Sequence, residues 1–595
     1  MLWVPLLLSA TLVASQTPSA LPTGIIQGPS GNATFDRYRP RYHFMSPKNW
    51  MNDPCGPYYD HSKQIYHWFY QYDPYADQWG NITWGHATSK DMLTWTDEPL
   101  ALVTDKPYDH LGVFTGSTIE KGLKGFPTIM YTSVSSLPIS WTINYTRGSE
   151  TQSVAWSEDG GMTWQKYASN PVIPMPPEYN VTGWRDPFVF RSSELAKDLG
   201  LNAESYFATV SSGIHQVGPR LWLYHSVNML NWTFMGPLFA APQNTTWSPW
   251  SGRFGFNWEV ANYFTLPVRK ARSKRWNGGG SAGGSSGSSQ MWHIATTGSE
   301  GSYNGHGGHW PLWVAGNIVK SSNSSNDLGS LTLQPLAVGV ADWGMYYAVQ
   351  HFLDKTGQRR IQIGWVQEDF SNANWHQGWM ACLGFLVISA TGTLSGNGSW
   401  VTEKASDGSL IVQKLGTRPI DELQKFRGKA LFQLSNNNLI SLNHMLAQGM
   451  YVEIKASMTV PSSASKLGFN VLASADGSEK TTIYYNPSNS SINVDRSLST
   501  NRSDIYDTAP ESGAFALYNL KKKKTEVLRL HIFVDNSIVE VFANDRFALT
   551  TRVYPSQLNS TGISLFAEGD IGDVANVVKT MDIWQVSGNA WPNRL

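Results

Sequence analysis

The sequence predicts an all-β protein, and three observations carry the prediction. Helical periodicity is scarce. Short runs rich in Val, Ile, Tyr, Phe and Trp dominate instead, as in Gln64–Tyr72, Ser205–Val210 and Trp222–Val227. Such residues fit a pleated, half-buried surface, and the Gly, Pro, Asn and Asp clusters between the runs form turns. Second, a turn motif recurs. Ser89-Lys-Asp91-Met-Leu-Thr-Trp95 returns as Ser157-Glu-Asp159-Gly-Gly-Met-Thr-Trp164 and as Ser226-Val-Asn228-Met-Leu-Asn-Trp232, with serines 68 and 69 residues apart. Third, Val527–Phe542 alternates apolar and polar residues, as a half-buried antiparallel sheet requires.

The elements follow in chain order. Residues 1–15 are expected to be a signal peptide: an apolar run ends in small residues, with Val13 and Ser15 at positions −3 and −1 of a cleavage after Ser15. The run is too short to span a bilayer, and no later stretch has about 18 consecutive apolar residues. A secreted protein, extracellular or attached to the cell wall, is expected. Residues 35–415 are expected to form a β-propeller. Each recurring motif follows a strand-like run, and Ser and Asp close a turn whose Trp plugs the next strand. Regular repetition of such hairpins suggests blades. The period divides this segment into five to six units. Trp276–Gln290 (WNGGGSAGGSSGSSQ) reads as a flexible surface loop between strands. Residues 416–429 are expected as a linker, because Pro419 precedes a short helical pattern within Arg418–Arg427. Residues 430–595 are expected as a β-sandwich, with Lys521–Lys524 a solvated hairpin loop.

Composition narrows the function. The chain has 595 residues, enough for two domains and a large core, and carries 26 Trp. Its 45 basic and 45 acidic residues cancel. A protein that lives on phosphate contacts needs a basic excess, so nucleic acid is not an expected partner. Cys55 and Cys382 alone give no disulfide framework, and their pairing stays open. Eleven glycosylation sequons, at Asn32, Asn81, Asn144, Asn180, Asn231, Asn244, Asn323, Asn397, Asn489, Asn501 and Asn559, agree weakly with secretion.

Three carboxylates stand in aromatic, turn-rich contexts: Asp53 in Asn49-Trp50-Met51-Asn52-Asp53-Pro54-Cys55-Gly56, Asp186 in Trp184-Arg185-Asp186-Pro187-Phe188, and Glu259 in Phe256-Asn257-Trp258-Glu259-Val260. Cleavage of a glycosidic bond needs two carboxyl groups, one to protonate the leaving oxygen and one to attack the anomeric carbon or activate water. Singly, each Asp-Pro also reads as a turn initiator. Together, and in this order, the three segments resemble glycoside hydrolase family 32, the invertases, inulinases and fructosyltransferases. Tyr66–Pro74, Trp79–Trp95, Val113–Ser117, Arg359–Trp365, Gln377–Leu383 and Phe533–Pro555 extend the resemblance from about residue 40 to about residue 590.

The resemblance implies a five-bladed β-propeller followed by a C-terminal β-sandwich, with the site in the propeller funnel. It implies Asp53 as nucleophile, Glu259 as acid/base and Asp186 as the aspartate that holds the fructosyl hydroxyls, with Arg185 beside it. Asn52, Gln71, Trp79, Phe114 and Thr115 would line the fructosyl pocket. Apolar Trp258 and Val260 are expected to favour the neutral form of Glu259. Cys55 and Val260 depart from the commonest family motifs and look like the fungal fructosyltransferase branch, as does Tyr108–Ser117. Within that branch Glu300, His309 and Tyr346 match residues that contact the sugar beyond the fructosyl pocket. His306 is a second candidate for the histidine.

The expected activity is retaining fructosyl transfer from sucrose to another sucrose, building fructo-oligosaccharides, with some hydrolysis. An invertase or inulinase is the alternative. From other classes come a catalytically silent sugar-binding propeller and a sialidase-like propeller, the latter without an evident arginine cluster or Tyr nucleophile. No cofactor is expected. Nor is a metal, since His306-Gly-Gly-His309 lacks further clustered ligands, and no thiol chemistry is expected, since Cys55 has no partnered His nearby.

Overall fold

A computed structural model of the chain describes residues 24–28, 33–248, 251–267, 291–301, 308–320, 331–368, 379–380, 382–394, 402–404, 410–434, 444–503, 507–520 and 524–594. The expected leader, the Gly/Ser-rich stretch 276–290, His306, Asn32, Asn323, Asn397 and most of the lysine run lie outside the described residues, as does the side chain of Cys382.

The described chain is all-β with a few short helices. Four strands follow one another in each of the first four sheets. β1 (Asn49–Asp60), β2 (Ile65–Asp73), β3 (Thr83–Ser89) and β4 (Thr96–Leu102) make the first; β5 (Gly112–Ile119), β6 (Thr128–Val134), β7 (Glu150–Trp156) and β8 (Gln165–Lys166) the second. β9 (Val181–Phe190), β10 (Tyr206–Ile214), β11 (Gly218–Ser226) and β12 (Thr233–Ala240) make the third; β13 (Asn257–Pro267), β14 (Met291–Glu300), β15 (His309–Lys320) and β16 (Leu331–Val340) the fourth. The fifth takes β17 (Tyr346–Leu353), β18 (Arg360–Val366), β20 (Cys382–Leu394), β21 (Thr402–Lys404) and β22 (Leu410–Pro419). The short β19 (Trp379–Met380) leaves this last sheet and pairs in parallel with β1, Asn49 opposite Trp379. The first strands touch in a cycle: β1 with β5, β5 with β9, β9 with β13, β13 with β17, and β17 with β1.

The three recurring motifs occupy equivalent places, the turns from the third to the fourth strand of the first three sheets. Ser89 Oγ accepts from Met92 N–H at 2.9 Å, and Asp91 Oδ1 accepts from Leu93 and Thr94 N–H at 2.9 Å each. Ser226 and Asn228 repeat this geometry at Met229, Leu230 and Asn231. The polar side chains replace backbone partners that a tight turn leaves unsatisfied.

Each first strand also carries a bulge at the same level. Asn52 and Asp53 stand between the pairs Met51–Tyr72 and Pro54–Tyr70, so two residues oppose one. Phe114 and Thr115 do so in β5, Asp186 and Pro187 in β9, Val260 and Ala261 in β13, and Ala348 and Val349 in β17. A bulge breaks the alternation of faces and re-aims side chains. Asp186, Val260 and Ala348 take positive φ there, 63°, 45° and 51°. For a β-branched residue such as Val260 that region is strained, and such strain concentrates where function requires it.

A 3-10 helix, Asp421–Phe426, leads from β22 into two six-stranded antiparallel sheets. These use β23 (Arg427–Gln433), β24 (Met445–Gln448), β25 (Tyr451–Met458), β26 (Ala464–Ala473), β27 (Thr481–Asn486), β28 (Ser491–Asp495) and β29 (Glu511–Ala514). Past the small β30 (Asn519–Leu520) and β31 (Lys524–Thr525) hairpin come β32 (Leu528–Asp535), β33 (Ile538–Ala543), β34 (Phe547–Arg552), β35 (Gly562–Gly569) and β36 (Val578–Val586). Ile454, Ile532 and Val541 of one sheet meet Phe469, Ile483 and Leu565 of the other in a single buried cluster, which makes this half a β-sandwich.

A second cluster joins the two halves, running from Phe35, Tyr38 and Phe44 through Trp68 and Trp95 to Phe533, Phe542 and Trp591. The N-terminal segment is clasped by the sandwich. Asp535 accepts from the N–H groups of Arg41, Tyr42 and His43 at 2.7, 2.9 and 3.0 Å and pairs with His43 Nδ1 at 2.7 Å. Glu540 lies 3.2 Å from His43 Nε2.

Candidate active site

The five bulges bring one side chain after another to the hub where the first strands meet. Asp53 is held by a closed set of hydrogen bonds. Trp50 Nε1–H donates to Asn52 Oδ1 at 2.8 Å; Asn52 Nδ2 donates to Asp53 Oδ1 and to Gln71 Oε1, both at 3.1 Å. Gln71 Nε2 donates to Thr115 Oγ1, whose proton goes to Asp53 Oδ2 at 2.6 Å. Each group takes the donor role its neighbour leaves open, so the Asp53 carboxylate has one orientation. Phe114 lies beside Thr115, and Trp79 stands edge-on to it, ring centroids 5.9 Å apart, with 45% of its surface exposed at the rim.

One guanidinium organises the opposite side. Arg185 donates from Nη1 to Glu150 Oε1 at 2.7 Å, from Nε to Glu259 Oε1 at 3.0 Å and from Nη2 to Glu300 Oε2 at 3.2 Å. Gly183 makes room for it: a Cβ there would fall 2.5 Å from Arg185 Nη1. Asn257 Nδ2 donates to Glu300 Oε2 at 2.6 Å, and the Tyr347 hydroxyl donates to Glu259 Oε2 at 2.9 Å. His309 stacks on Tyr347, centroids 4.5 Å apart. Its Nδ1 is buried with no hydrogen-bond partner among the described residues. Asp186 is fixed by its strained backbone: its N–H donates to Thr132 Oγ1 at 2.8 Å, and Val260 N–H donates to its Oδ2 at 2.9 Å.

The structure thus brings together Asn52, Asp53, Gln71, Thr115, Arg185, Asp186, Glu259, Glu300 and His309, with Phe114 and Trp79 at the edge. It does not bring Tyr346 there. Tyr346 packs in the junction core against Gly364, and Tyr347, one residue on, reaches Glu259. Successive strand residues face opposite sides, so a slip of one exchanges core for site. Sequence reasoning also missed Glu150 and Asn257. Glu150 is buried in β7 and touches Arg185 across a gap of 35 residues, and its sequence neighbours Ser149, Thr151 and Gln152 give no sign of that role.

The charge balance differs from the sequence expectation. Burial, with the Glu259 charge added, pushes the Asp53 carboxyl up to about 7. Burial and the Glu259 charge raise Glu300 to about 8 and carry Asp186 well above the usual carboxylate range. For Glu259 burial also pushes upward, but Arg185, His309 and the Tyr347 hydrogen bond outweigh it, and its pKa falls below the ordinary value. The apolar flanks Trp258 and Val260 therefore do not decide its protonation; its partners do. Burial raises the Cys55 thiol strongly, which rules against a thiolate there. Ligand atoms of Glu259, Glu300 and His309 lie within 4.8 Å of one another. Arg185 already bonds both carboxylates, so a cation at that point would meet a resident positive charge.

Paired half-buried carboxylates, one oriented by a hydrogen-bonded ring and one by a guanidinium and a tyrosine, in a hub of strained strands, are the equipment of a glycoside hydrolase. The sequence says which kind. Residues 43–388 match the Glycosyl hydrolases family 32 N-terminal domain and residues 422–585 its C-terminal domain, and the chain belongs to that family. It is 31% identical over 549 residues to a levanase of Bacillus subtilis (strain 168), covering 89% of this chain and 68% of the levanase. It is 29% identical to an extracellular exo-inulinase of Aspergillus awamori, covering 92% and 95% of the two chains. The crystal structure of a fructosyltransferase from A. japonicus superposes with a TM-score of 0.81 at 26% identity, covering 95% and 99%.

Proposed function

We propose that this enzyme is a secreted, retaining fructosyltransferase that takes the fructosyl unit of sucrose through a covalent Asp53 intermediate and passes it to a second sucrose, with some hydrolysis. The observation that carries this reading is the geometry around Asp53 and Glu259: two half-buried carboxylates within electrostatic reach, each aimed by its own partners. Asp53 attacks the anomeric carbon as the bond to the glucosyl oxygen breaks. Glu259 gives that oxygen a proton, then takes one back from the incoming acceptor. Asp186, anchored on Val260 N–H, holds fructosyl hydroxyls and faces the positive charge that develops on the ring. Asn52, Gln71, Thr115, Phe114 and Trp79 bound the fructosyl pocket.

Glu259 needs a proton it lacks in the empty site. Glu300, at about 8, retains one beside the same guanidinium. The reactive pair, Glu259 protonated and Asp53 ionised, reverses the order of the two pKa values in the empty site and so forms only when the sugar binds. Glu300, His309 and Tyr347 then face the acceptor. In this reading the five sheets are the blades of a five-bladed propeller spanning 35–415, β19 latches its ring, 416–429 is the linker, 430–595 is the sandwich, and residues 1–15 direct secretion. The extracellular exo-inulinase relative supports that address.

Incubation with concentrated sucrose tests the reading. Free glucose well above free fructose, with a trisaccharide accumulating, is the expected result. Equal glucose and fructose without trisaccharide would make the enzyme an invertase. That second reading has a specific support, since the curated relatives are named levanase and extracellular exo-inulinase.

A further inference from the structure

We propose that Trp141 and Phe256 form a platform for a saccharide ring that lies past Glu300, beyond the two rings joined by the scissile bond. The inference rests on the reading that Asp53 and Glu259 flank that bond. Trp141 lies in the segment between β6 and β7 of the second sheet, and Phe256 immediately precedes β13 of the fourth. The segment therefore passes over the third sheet, which supplies Arg185 and Asp186, to reach the far side of the mouth. There the two rings stack face to face, centroids 4.8 Å apart and 9° from parallel.

Three features tie the stack to the site. Phe256 N–H donates to the Glu300 carbonyl at 2.8 Å, so the pair is fixed to the residue whose side chain bonds Arg185. Gly301 takes φ 78°, and a Cβ there would fall 2.6 Å from Phe256 Cδ2 and 2.8 Å from Trp141 Cζ2, so only glycine lets the strand end lie against both rings. The segment is also held rigidly. Arg147 donates from Nη2 to the Pro176 carbonyl at 2.8 Å and to Glu178 Oε1 at 3.0 Å, and from Nη1 to the Pro177 carbonyl at 2.9 Å.

Neither aromatic belongs to any of the buried clusters, and both are partly exposed. Two large rings stacked on each other at a rim, outside every core, leave apolar surface in water. The C–H face of a neutral sugar ring is the surface that covers such a platform without demanding a charged partner. An indole exposes a broad flat face at little conformational cost, which suits a ring that is positioned but not cleaved.

The test is steady-state kinetics of Trp141→Ala and Trp141→Phe on sucrose and on sucrose extended by one fructosyl ring. For hydrolysis of the trisaccharide, KM of Trp141→Ala is expected to rise about ten-fold with kcat within about two-fold, while both constants for release of free fructose from sucrose, which leaves the platform empty, stay put; Trp141→Phe recovers most of the loss. Equal losses on both substrates would make Trp141 a brace for its loop and overturn the proposal, as would no change on either. The underlying assignment fails separately, through an Asp53→Ala enzyme that keeps its activity on sucrose.

Discussion

At the hub of the first strands one guanidinium, Arg185, serves three carboxylates, with Asp53 and Asp186 close by. At the N-terminal clasp one imidazole sits between two carboxylates, and Asp535 collects four donors. Both regions are buried. In the clasp the imidazole has a carboxylate at each ring nitrogen, and the His43 pKa rises to about 9: burial opposes the charge, but Glu540 and Asp535 outweigh it. In the hub the negative charge exceeds its compensation, and three carboxyls move upward while one moves down. Matched burial holds elements together. Mismatched burial costs stability and keeps protons ready to move, the signature of a working site.

Replacement of Asp53 by Ala breaks the comparison most visibly. Sucrose turnover should fall by at least about 10⁴-fold. Asp53→Asn should do the same while stabilising the fold. The Asp53 pKa is raised, so its contribution is favourable below the unfolded value near 4 and is lost as pH rises through about 7. The unfolding free energy at pH 8 should therefore rise by on the order of 3 kcal/mol in Asp53→Asn, and differ little at pH 4. A variant as unstable at pH 8 as the parent would remove the mismatch argument.

Glu259→Gln should lower turnover by about 10³-fold, the usual scale for a lost general acid. A substrate with a leaving group that needs no proton should recover most of the first step; its failure to do so would deny Glu259 the acid role. In the clasp, His43→Gln should destabilise by about 3 kcal/mol at neutral pH, read by denaturant unfolding. The sign is opposite to a depressed carboxylate: the His43 contribution is complete below about pH 6.5 and disappears as pH climbs through about 9. Parent and variant should thus converge above pH 9.5, and persistent separation there would show that shape, not charge, sets the clasp. The smallest effect separates two neighbours. Tyr347→Phe should cost about ten-fold in kcat/KM and move the Glu259 limb of the pH profile upward, whereas Tyr346→Phe should stay within about two-fold.

Much of this was legible in the sequence, and for physical reasons. The Ser-x-Asp turns were readable because a turn is local: Ser89 and Asp91 satisfy backbone groups within five residues. Asp53, Asp186 and Glu259 were readable because each sits in a dense motif, and the structure places all three at one hub. Tyr346 was named in place of Tyr347 because the choice rested on the family resemblance, and nothing in two adjacent tyrosines of one strand says which faces the site; both precede the bulge at Ala348 and Val349. Glu150 was missed because its role exists only when β7 lies beside β9 and Arg185 reaches across. The protonation of Glu259 was misjudged for the same reason. Its neighbours in sequence are apolar, but its neighbours in space are Arg185, Tyr347 and His309.

The clasp and the β1–β19 pair have a consequence for how the chain matures at the ribosome. Phe35, Tyr38, Tyr42 and Phe44 emerge early, yet their burial partners include residues near 533–554 and 591, some 500 positions later. Asn49 likewise waits for Trp379. Contacts so distant form slowly, since a long loop must close before any of them is rewarded. Nascent chains therefore carry these exposed aromatic side chains while some 490 further residues are made, and chaperone capacity should limit the yield of active enzyme more than translation speed does.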